Sequence, residues 1–292
     1  MKVRLAPNLP LIRPAFLPKS AHPRPAPSYL QCRATRQYST SKPTTPPSNN
    51  NARWLSDIKT RIGKCIMFGM DKEQTRETAA VCKILGEEWR DLVAGREGFL
   101  VDKKRAGFLR QKVVWGEMDS MGHVNNVTYV RYAESARINW AYNYALHVDP
   151  ENREKWCELW TPRGDGLILR SIRTDYKFPM TWPDSISVFH KLSQHPSPTD
   201  SHFILDVMIL SELHQRSAAR CVEDIVVYDY KAGRKVKIRP FMMKAFENTW
   251  EEQEKTKEMV ARRIREIEER VAGIEAMTWN KVGAVEDMGS GT

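Results

Sequence analysis

The chain has 292 residues, enough for one or two domains with a sizeable core, and a formal net charge of +10. Its five cysteines form no Cys-x-x-Cys pair, and neither they nor the seven histidines show metal-ligand spacing. A disulfide scaffold and a metal site are therefore not expected. The sequence also lacks a phosphate-binding glycine loop, a dinucleotide fingerprint and an apolar run long enough to span a bilayer, so no cofactor and no transmembrane segment are predicted.

The N-terminal stretch is basic and unlike a folded domain. The first 56 residues contain no Asp or Glu and are rich in Lys, Arg, Ser, Thr and Pro, which is typical of a mitochondrial presequence. The segment Arg36-Gln37-Tyr38-Ser39 resembles the fungal-type matrix processing site, which predicts cleavage after Tyr38. We therefore expect a presequence at 1–38, a disordered linker at 39–53 and a location in the mitochondrial matrix. The alternative is a disordered basic tail.

The predicted presequence also accounts for most of the basic charge. It holds seven basic residues and no acidic residue, so its removal would lower the net charge from +10 to +3. The charge therefore gives no specific indication of an RNA or DNA partner. A weakly basic protein remains compatible with an anionic small molecule.

Residues 54–98 are predicted to form a helical extension. Asp71 can cap a helix, and Gly95 is placed to end it. The apolar residues between them recur at helical spacing: Ala80, Val81, Ile84, Leu85, Trp89, Leu92 and Val93. Two roles remain open, namely packing against the outside of the next domain and forming a lid or dimer contact over a functional site.

The most informative stretch runs from Trp115 to Tyr129. Between a strand-like apolar run at 108–115 and a helical pattern at 127–146, it holds a carboxylate, a glycine, an imidazole and two amides: Asp119, Gly122, His123, Asn125 and Asn126. Asn126 is a good N-cap, and unpaired N–H groups at a helix start favour negative charge. A thioester or ester carbonyl there would have its oxyanion stabilised while Asp119 attacked it or activated water. The stretch therefore indicates acyl-transfer chemistry.

Each of these residues also has a purely structural explanation. Asp119 could accept hydrogen bonds from the backbone of its own turn, and the two asparagines could serve only as caps. His123 is expected to make a structural hydrogen bond, because no Cys or Ser nucleophile lies at a recognisable spacing from it. No single residue in the stretch establishes an enzyme.

The whole string resembles the signature of the hotdog-fold acyl-CoA thioesterases, the hydroxybenzoyl-CoA thioesterase-like superfamily. There an Asp-x-x-Gly-His-Val-Asn-Asn-x-x-Tyr segment joins the first strand to the central helix, and this chain matches it at Asp119, Gly122, His123, Val124, Asn125, Asn126 and Tyr129. The resemblance implies that Asp119 is the nucleophile or general base and that the backbone N–H near Asn126 polarises the thioester carbonyl. Gly122, His123, Asn125 and Tyr129 would then shape the substrate site.

The rest of the chain predicts the architecture around this segment. Four further runs of strand length follow the helix, at 167–178, 185–192, 202–213 and 219–230. This order is that of a hotdog domain, which we place at 100–242. The expected fold class is α+β, with a curved antiparallel sheet wrapped around one long central helix and with helical N- and C-terminal extensions. His190 alternates with apolar residues and is expected to be a satisfied core histidine.

A C-terminal amphipathic helix is predicted at 244–277, followed by a flexible tail at 278–292. Its apolar residues have heptad-like spacing: Val260, Ile264, Ile267, Val271 and Ile274. The stripe is short for a coiled coil. Docking on its own domain and pairing with another subunit therefore both remain open.

The resemblance implies an acyl-CoA thioesterase of lipid metabolism, which hydrolyses an acyl-CoA to free acid and CoA, and the predicted presequence adds a mitochondrial location. The resemblance also implies a homodimer or higher homo-oligomer with acyl-CoA sites at the subunit interface. Two other functions stay open, because a fold does not by itself establish an activity. One is a catalytically inactive hotdog subunit of a mitochondrial assembly. The other is a hotdog hydratase or dehydratase acting on acyl thioesters, which a functional His123 would favour.

Overall fold

A six-stranded antiparallel sheet organises residues 53–286, the part of the chain that the computed structural model describes. Its strands are β1 (Phe108–Lys112), β2 (Asp165–Tyr176), β3 (Ser185–Leu192), β4 (His202–Ser211), β5 (Arg216–Asp229) and β6 (Arg234–Lys235). They lie in the order β1-β3-β4-β5-β2, with β6 paired to β5. The helices are α1 (Trp54–Met67), α2 (Lys72–Ala94), α3 (Asn126–Asn143), α4 (Arg153–Glu158) and α5 (Pro240–Met277). The predicted presequence, nearly all of the linker, the end of the tail and Cys32 lie outside the described residues.

Helix α3 packs against one face of the curved sheet. Its buried side chains form a core with alternate residues of β3 and β4, and the contacting set includes Tyr129, Ala133, Ala136, Ile186, Val188, Val207 and Ile209. Alternate residues share this face because successive strand side chains point to opposite sides of the sheet. The order of one strand, one long helix and the strands β2 to β6 confirms the predicted α+β hotdog architecture, with the short β6 added to the four strands predicted after the helix.

Helices α1 and α2 and the C-terminal half of α5 cover the opposite face. The intervening strand residues Phe189, Met208 and Leu210 are fully buried against them. Four residues of the predicted apolar stripe of α5 are buried in the same cluster: Val260, Ile267, Val271 and Ile274. The N-terminal extension therefore packs on the outside of the sheet, and α5 docks on its own domain. Removing this apolar surface from water supplies most of the attachment.

Charged side chains also join the outer helices to one another. Arg61 donates two hydrogen bonds to Glu275, and Arg263 donates two to Glu88, with distances of 2.6 to 2.9 Å. Each pair connects α5 to α1 or α2. Because both pairs are partly exposed, each contributes only about 0.2–1 kcal/mol, so they select the helix arrangement more than they stabilise it.

Helix α5 begins at Pro240, four residues before the predicted start, and continues to Met277. Proline is well suited to the first helical position, because its φ is already helical and its missing N–H would have no partner there. The early start matters for packing, since Met242 and Phe246 join Trp140 of α3 in the core. Within residues 53–286, no helix combines the length and the apolarity needed to cross a membrane.

Several predicted boundaries shift by a few residues. The first strand ends at Lys112, and the residues that follow include a 3-10 turn at Trp115–Glu117. Helix α3 ends at Asn143 and continues as a π-helical turn at Tyr144–Val148. The N-terminal extension is two helices. Gly95 still has helical angles, whereas Gly98 takes the left-handed conformation that ends the segment.

One charged cluster is buried between α3 and the sheet. Arg137 Nη1 donates to Glu223 Oε1 at 2.6 Å, and His190 Nε2 lies 3.8 Å from Glu223 Oε2. Burial raises the pKa of Glu223 to about 7 and, together with the positive charge of Arg137, lowers the pKa of His190 to about 3. His190 is therefore buried and neutral. This is the core histidine that the sequence predicts, and the backbone of Ala133 acts on its ring against the lowering of the pKa.

Candidate active site

A hydrogen-bonded turn at 118–125 connects the strand side of the fold to helix α3. The Asp119 N–H donates to the His123 carbonyl at 2.8 Å, and the Gly122 N–H donates to the Asp119 carbonyl at 3.0 Å. Gly122 has φ +74°, in the left-handed region that glycine adopts at little cost. No atom lies within 4 Å of the position its Cβ would take, so the backbone conformation, and not space, favours glycine here.

The Asp119 carboxylate is engaged by this turn through one of its oxygens. Oδ1 accepts from the Met121 N–H at 2.8 Å and, at the longer distance of 3.5 Å, from the His123 N–H. Oδ2 accepts no hydrogen bond from any described residue, and the side chain is exposed. The structural and catalytic explanations of Asp119 are therefore compatible. One oxygen holds the turn while the other remains available.

Helix α3 is capped by Asn125, so the prediction that Asn126 is the N-cap is wrong by one residue. Asn125 Oδ1 accepts from the Val127 N–H at 3.0 Å, and the backbone of Asn125 has φ −58° and ψ 138°, outside the helical region. Either asparagine has a suitable amide, and the backbone angles decide which one caps. Asn126 is consequently the first helical residue.

The backbone N–H of Asn126 is an unpaired donor at the start of α3. It donates to no backbone or side-chain group among residues 53–286. The first turn of α3 also contains no acidic residue that would offset the positive end of the helix dipole. On the other side of the residue, the Tyr176 hydroxyl donates to the Asn126 carbonyl at 3.1 Å. This contact connects the helix start to the end of β2.

An open groove of about 400 Å³ brings four of the six predicted site residues together. It is lined by Asp119, Met121, His123, Val124, Asn126, Tyr129, Tyr176, Lys177, Phe178 and Pro179. Gly122 and Asn125 are not part of the lining; they shape the turn and cap the helix. The carboxylate of Asp119 and the start of α3 therefore share one groove, as the sequence predicts.

The two remaining predicted residues of the groove have different environments. Tyr129 is buried, its hydroxyl accepts from the Met180 N–H at 3.2 Å, and burial raises its pKa, so it stays protonated at neutral pH. His123 is half-buried. The structural hydrogen bond expected of its side chain is not found in the described part of the chain, where only its backbone is bonded. Its imidazole is therefore available to a ligand in the groove.

Sequence reasoning missed the wall that the end of β2 contributes. Tyr176 and Lys177 lie about 50 residues from the motif and reach it only because β2 ends beside the start of α3. The hydroxyl of Tyr132 is not part of the groove lining and donates to Glu117 Oε2 at 2.6 Å. That contact joins α3 to the 3-10 turn at Trp115–Glu117. No group of three or more His, Cys, Asp or Glu side chains in the described chain is arranged to hold a metal ion.

Part of the chain is similar in sequence or in fold to known proteins. Residues 113–246 match the family model described as the thioesterase-like superfamily. A thioesterase from Thermus thermophilus, solved with coenzyme A and Zn, is 20% identical with a TM-score of 0.38, covering 48% of this chain and 91% of its own. A DHNA-CoA thioesterase from Staphylococcus aureus is 14% identical with a TM-score of 0.36, covering 53% of this chain and 92% of its own. No curated protein matches the chain.

The matched segment begins just before the turn and ends in the first part of α5. It therefore contains the turn, α3, and strands β2 to β6. The fold of this segment is a hotdog fold, and its sequence matches the model of the thioesterase-like superfamily. Helices α1 and α2 and most of α5 lie outside the match and are additions to that fold.

The different hydrogen bonding of Asn125 and Asn126 predicts effects of different size on the free energy of unfolding. Asn125→Ala removes a cap and should lower the free energy of unfolding by about 1 kcal/mol. Asn126→Pro removes an N–H that has no partner, at a position where proline is favoured, so the change should be within about 0.5 kcal/mol. Urea denaturation of both variants measures this. A loss in Asn126→Pro as large as in Asn125→Ala would show that the Asn126 N–H is bonded in the folded protein.

Proposed function

We propose that this protein is an acyl-CoA thioesterase, which hydrolyses the thioester bond of an acyl-CoA to a free acid and CoA. One observation carries the proposal: a groove lined by Asp119 and Asn126 offers an available carboxylate oxygen and an unpaired N–H at a helix start. The match of residues 113–246 to the thioesterase-like superfamily supports it.

The chemistry follows from these two groups. The thioester carbonyl oxygen accepts a hydrogen bond from the Asn126 N–H, which stabilises the negative charge that develops there. As general base, Asp119 takes a proton from water through Oδ2, and the resulting hydroxide adds to the acyl carbon. The tetrahedral intermediate expels CoA as the thiolate, which recovers the proton. As nucleophile, the same oxygen would form an acyl anhydride that water then hydrolyses. Both routes use the same atom and give the same products.

The chemical role of Asp119 is tested most cleanly by Asp119→Asn. Asparagine keeps the oxygen that accepts from the Met121 N–H, so the turn persists while the charge is lost. We expect kcat to fall at least about 100-fold, the lower range for loss of a general base or nucleophile. The measurement is release of the free CoA thiol from a panel of acyl-CoAs of different chain lengths.

Asp102→Asn is the matched control for this substitution. Asp102 is also exposed, and its Oδ1 accepts from the Lys104 N–H at 2.9 Å in an equivalent local turn, away from the groove lining. It should keep wild-type activity.

In the same assay Asn126→Pro should lose about 100-fold in kcat, whereas Asn126→Ala, which keeps the N–H, should not. Equal rates for wild type and Asp119→Asn would instead support a catalytically inactive subunit.

A second candidate function is hydration or dehydration of an acyl thioester. The observation that favours it is the imidazole of His123, which lines the groove beside Asp119 and makes no hydrogen bond with the described residues. Such chemistry moves water across a carbon–carbon double bond and leaves the thioester intact. The assay separates the two functions, because a hydratase would produce a hydrated acyl-CoA with no free CoA thiol.

We further propose that the protein acts as a homodimer in mitochondria. The outer edge of β2 is unpaired in the described chain. Four large apolar side chains at or close in sequence to groove-lining residues are exposed: Trp115, Met121, Val127 and Trp182 are 70%, 76%, 65% and 49% exposed. A second copy pairing along β2 would cover both features. The mitochondrial location rests on the acid-free basic stretch at 1–56 and the Arg36 to Ser39 motif.

Native mass spectrometry of the protein isolated from its own cells would test oligomer and processing together. We expect the mass of two copies of a chain that begins at Ser39, because cleavage after Tyr38 removes the presequence. A chain that keeps residues 1–38 would contradict the targeting proposal. A monomer at micromolar concentration would contradict the dimer.

A further inference from the structure

A cavity of about 560 Å³ lies between the start of α1 and the turn that joins β4 to β5; we call it the basic cavity. Its polar lining comes from Arg53, Ser56 and Lys59 on one side and from His214, Gln215 and Arg216 on the other. Leu55 and Val93 add an apolar wall. The volume is within the range of small-molecule sites.

The charged side chains that line the basic cavity are all positive. Arg53, Lys59 and Arg216 contribute three cations, and no acidic residue of the described chain lines it. Lys59 Nζ contacts Gln215 Oε1, a neutral acceptor, and makes no ion pair with the described residues. Cations held around a concave surface that no carboxylate lines attract anions strongly. A phosphate-bearing ligand fits this lining.

Two residues that line the basic cavity contact Phe178, which lines the groove of the candidate active site. Phe178 lines the groove, while the guanidinium of Arg216 lies 3.9 Å from the centre of its ring and the His214 ring lies 5.1 Å from it. A ligand whose reactive end occupies the groove can therefore place an anionic end beyond Phe178. Coenzyme A has this form, with a thioester at one end and a phosphorylated adenosine at the other.

We infer that the basic cavity binds the 3′-phospho-ADP portion of an acyl-CoA, with the phosphates on Lys59 and Arg216 and the adenine against Leu55 and Val93. The inference rests on the proposed thioesterase function and adds a substrate-recognition site to it. Because α1 lies outside the segment that matches the superfamily, the N-terminal extension contributes one side of this site, and the turn between β4 and β5 contributes the other. The outer helices then have a role in binding as well as in stability.

The test compares two substrates with the same acyl group, one on CoA and one on N-acetylcysteamine, which lacks the nucleotide. In Lys59→Glu we expect KM for the acyl-CoA to rise about tenfold, as for loss of one charge-assisted contact to phosphate, with kcat unchanged. Hydrolysis of the N-acetylcysteamine thioester should be unaffected. Lys72→Glu is the matched control, since Lys72 is an exposed helical lysine of α2 that lies outside the cavity, and it should change neither substrate.

Calorimetric titration with 3′,5′-ADP and with inorganic phosphate completes the test without using activity. We expect 3′,5′-ADP to bind wild type and Lys72→Glu, and to bind Lys59→Glu about tenfold more weakly. Equal binding of inorganic phosphate and 3′,5′-ADP would overturn the nucleotide assignment, and so would equal KM changes for both substrates or none. If neither thioester is hydrolysed by wild type but 3′,5′-ADP binds as expected, the thioesterase proposal fails while the cavity assignment survives.

Discussion

The hydrogen bonds within the turn at 118–125 are the constraint on which the proposed chemistry depends. They use one oxygen of Asp119 and the amide of Asn125, and they leave the other carboxylate oxygen and the Asn126 N–H without partners among the described residues. A turn that satisfied every group would be more stable and chemically inert. The structure instead leaves two complementary groups unsatisfied in one groove, where a polarised carbonyl can contact both. The cost is small because both groups are reached by solvent.

The remainder of the fold holds this turn in place. It consists of α3 on one face of the sheet and the outer helices on the opposite face. Helix α3 is packed on the inner face and tied to β5 by the buried pair of Arg137 and Glu223, so its first residue has a fixed position. The outer helices bury the other face of β3 and β4, the central strands of the sheet. Gln253 connects α5 directly to strand β3. Its side chain bonds both the N–H and the carbonyl of Leu192, as a neighbouring strand would.

The pattern of apolar and polar residues along the sequence predicted much of this arrangement. The features that it did not predict have physical causes. The strand and helix order follows from apolar periodicity, and the segment from Asp119 to Asn126 predicts a turn before a helix. The choice of Asn125 as cap depends on backbone angles, which two adjacent asparagines do not reveal. Tyr176 and the basic cavity depend on contacts between residues more than 40 positions apart. The pairing of Arg137 with Glu223 beside His190 could not be predicted either, because the three residues come from three different elements.

The central claim is that the Asp119 carboxylate and the Asn126 N–H act on the same acyl group. It is tested most directly by a crystal structure of the Asp119→Asn variant with an intact acyl-CoA, since loss of the charge should allow the substrate to persist. We expect the thioester carbonyl oxygen at about 2.7–3.1 Å from the Asn126 backbone nitrogen, with the residue 119 amide facing the acyl carbon. A thioester bound elsewhere, or a carbonyl oxygen bonded to other donors, would contradict it.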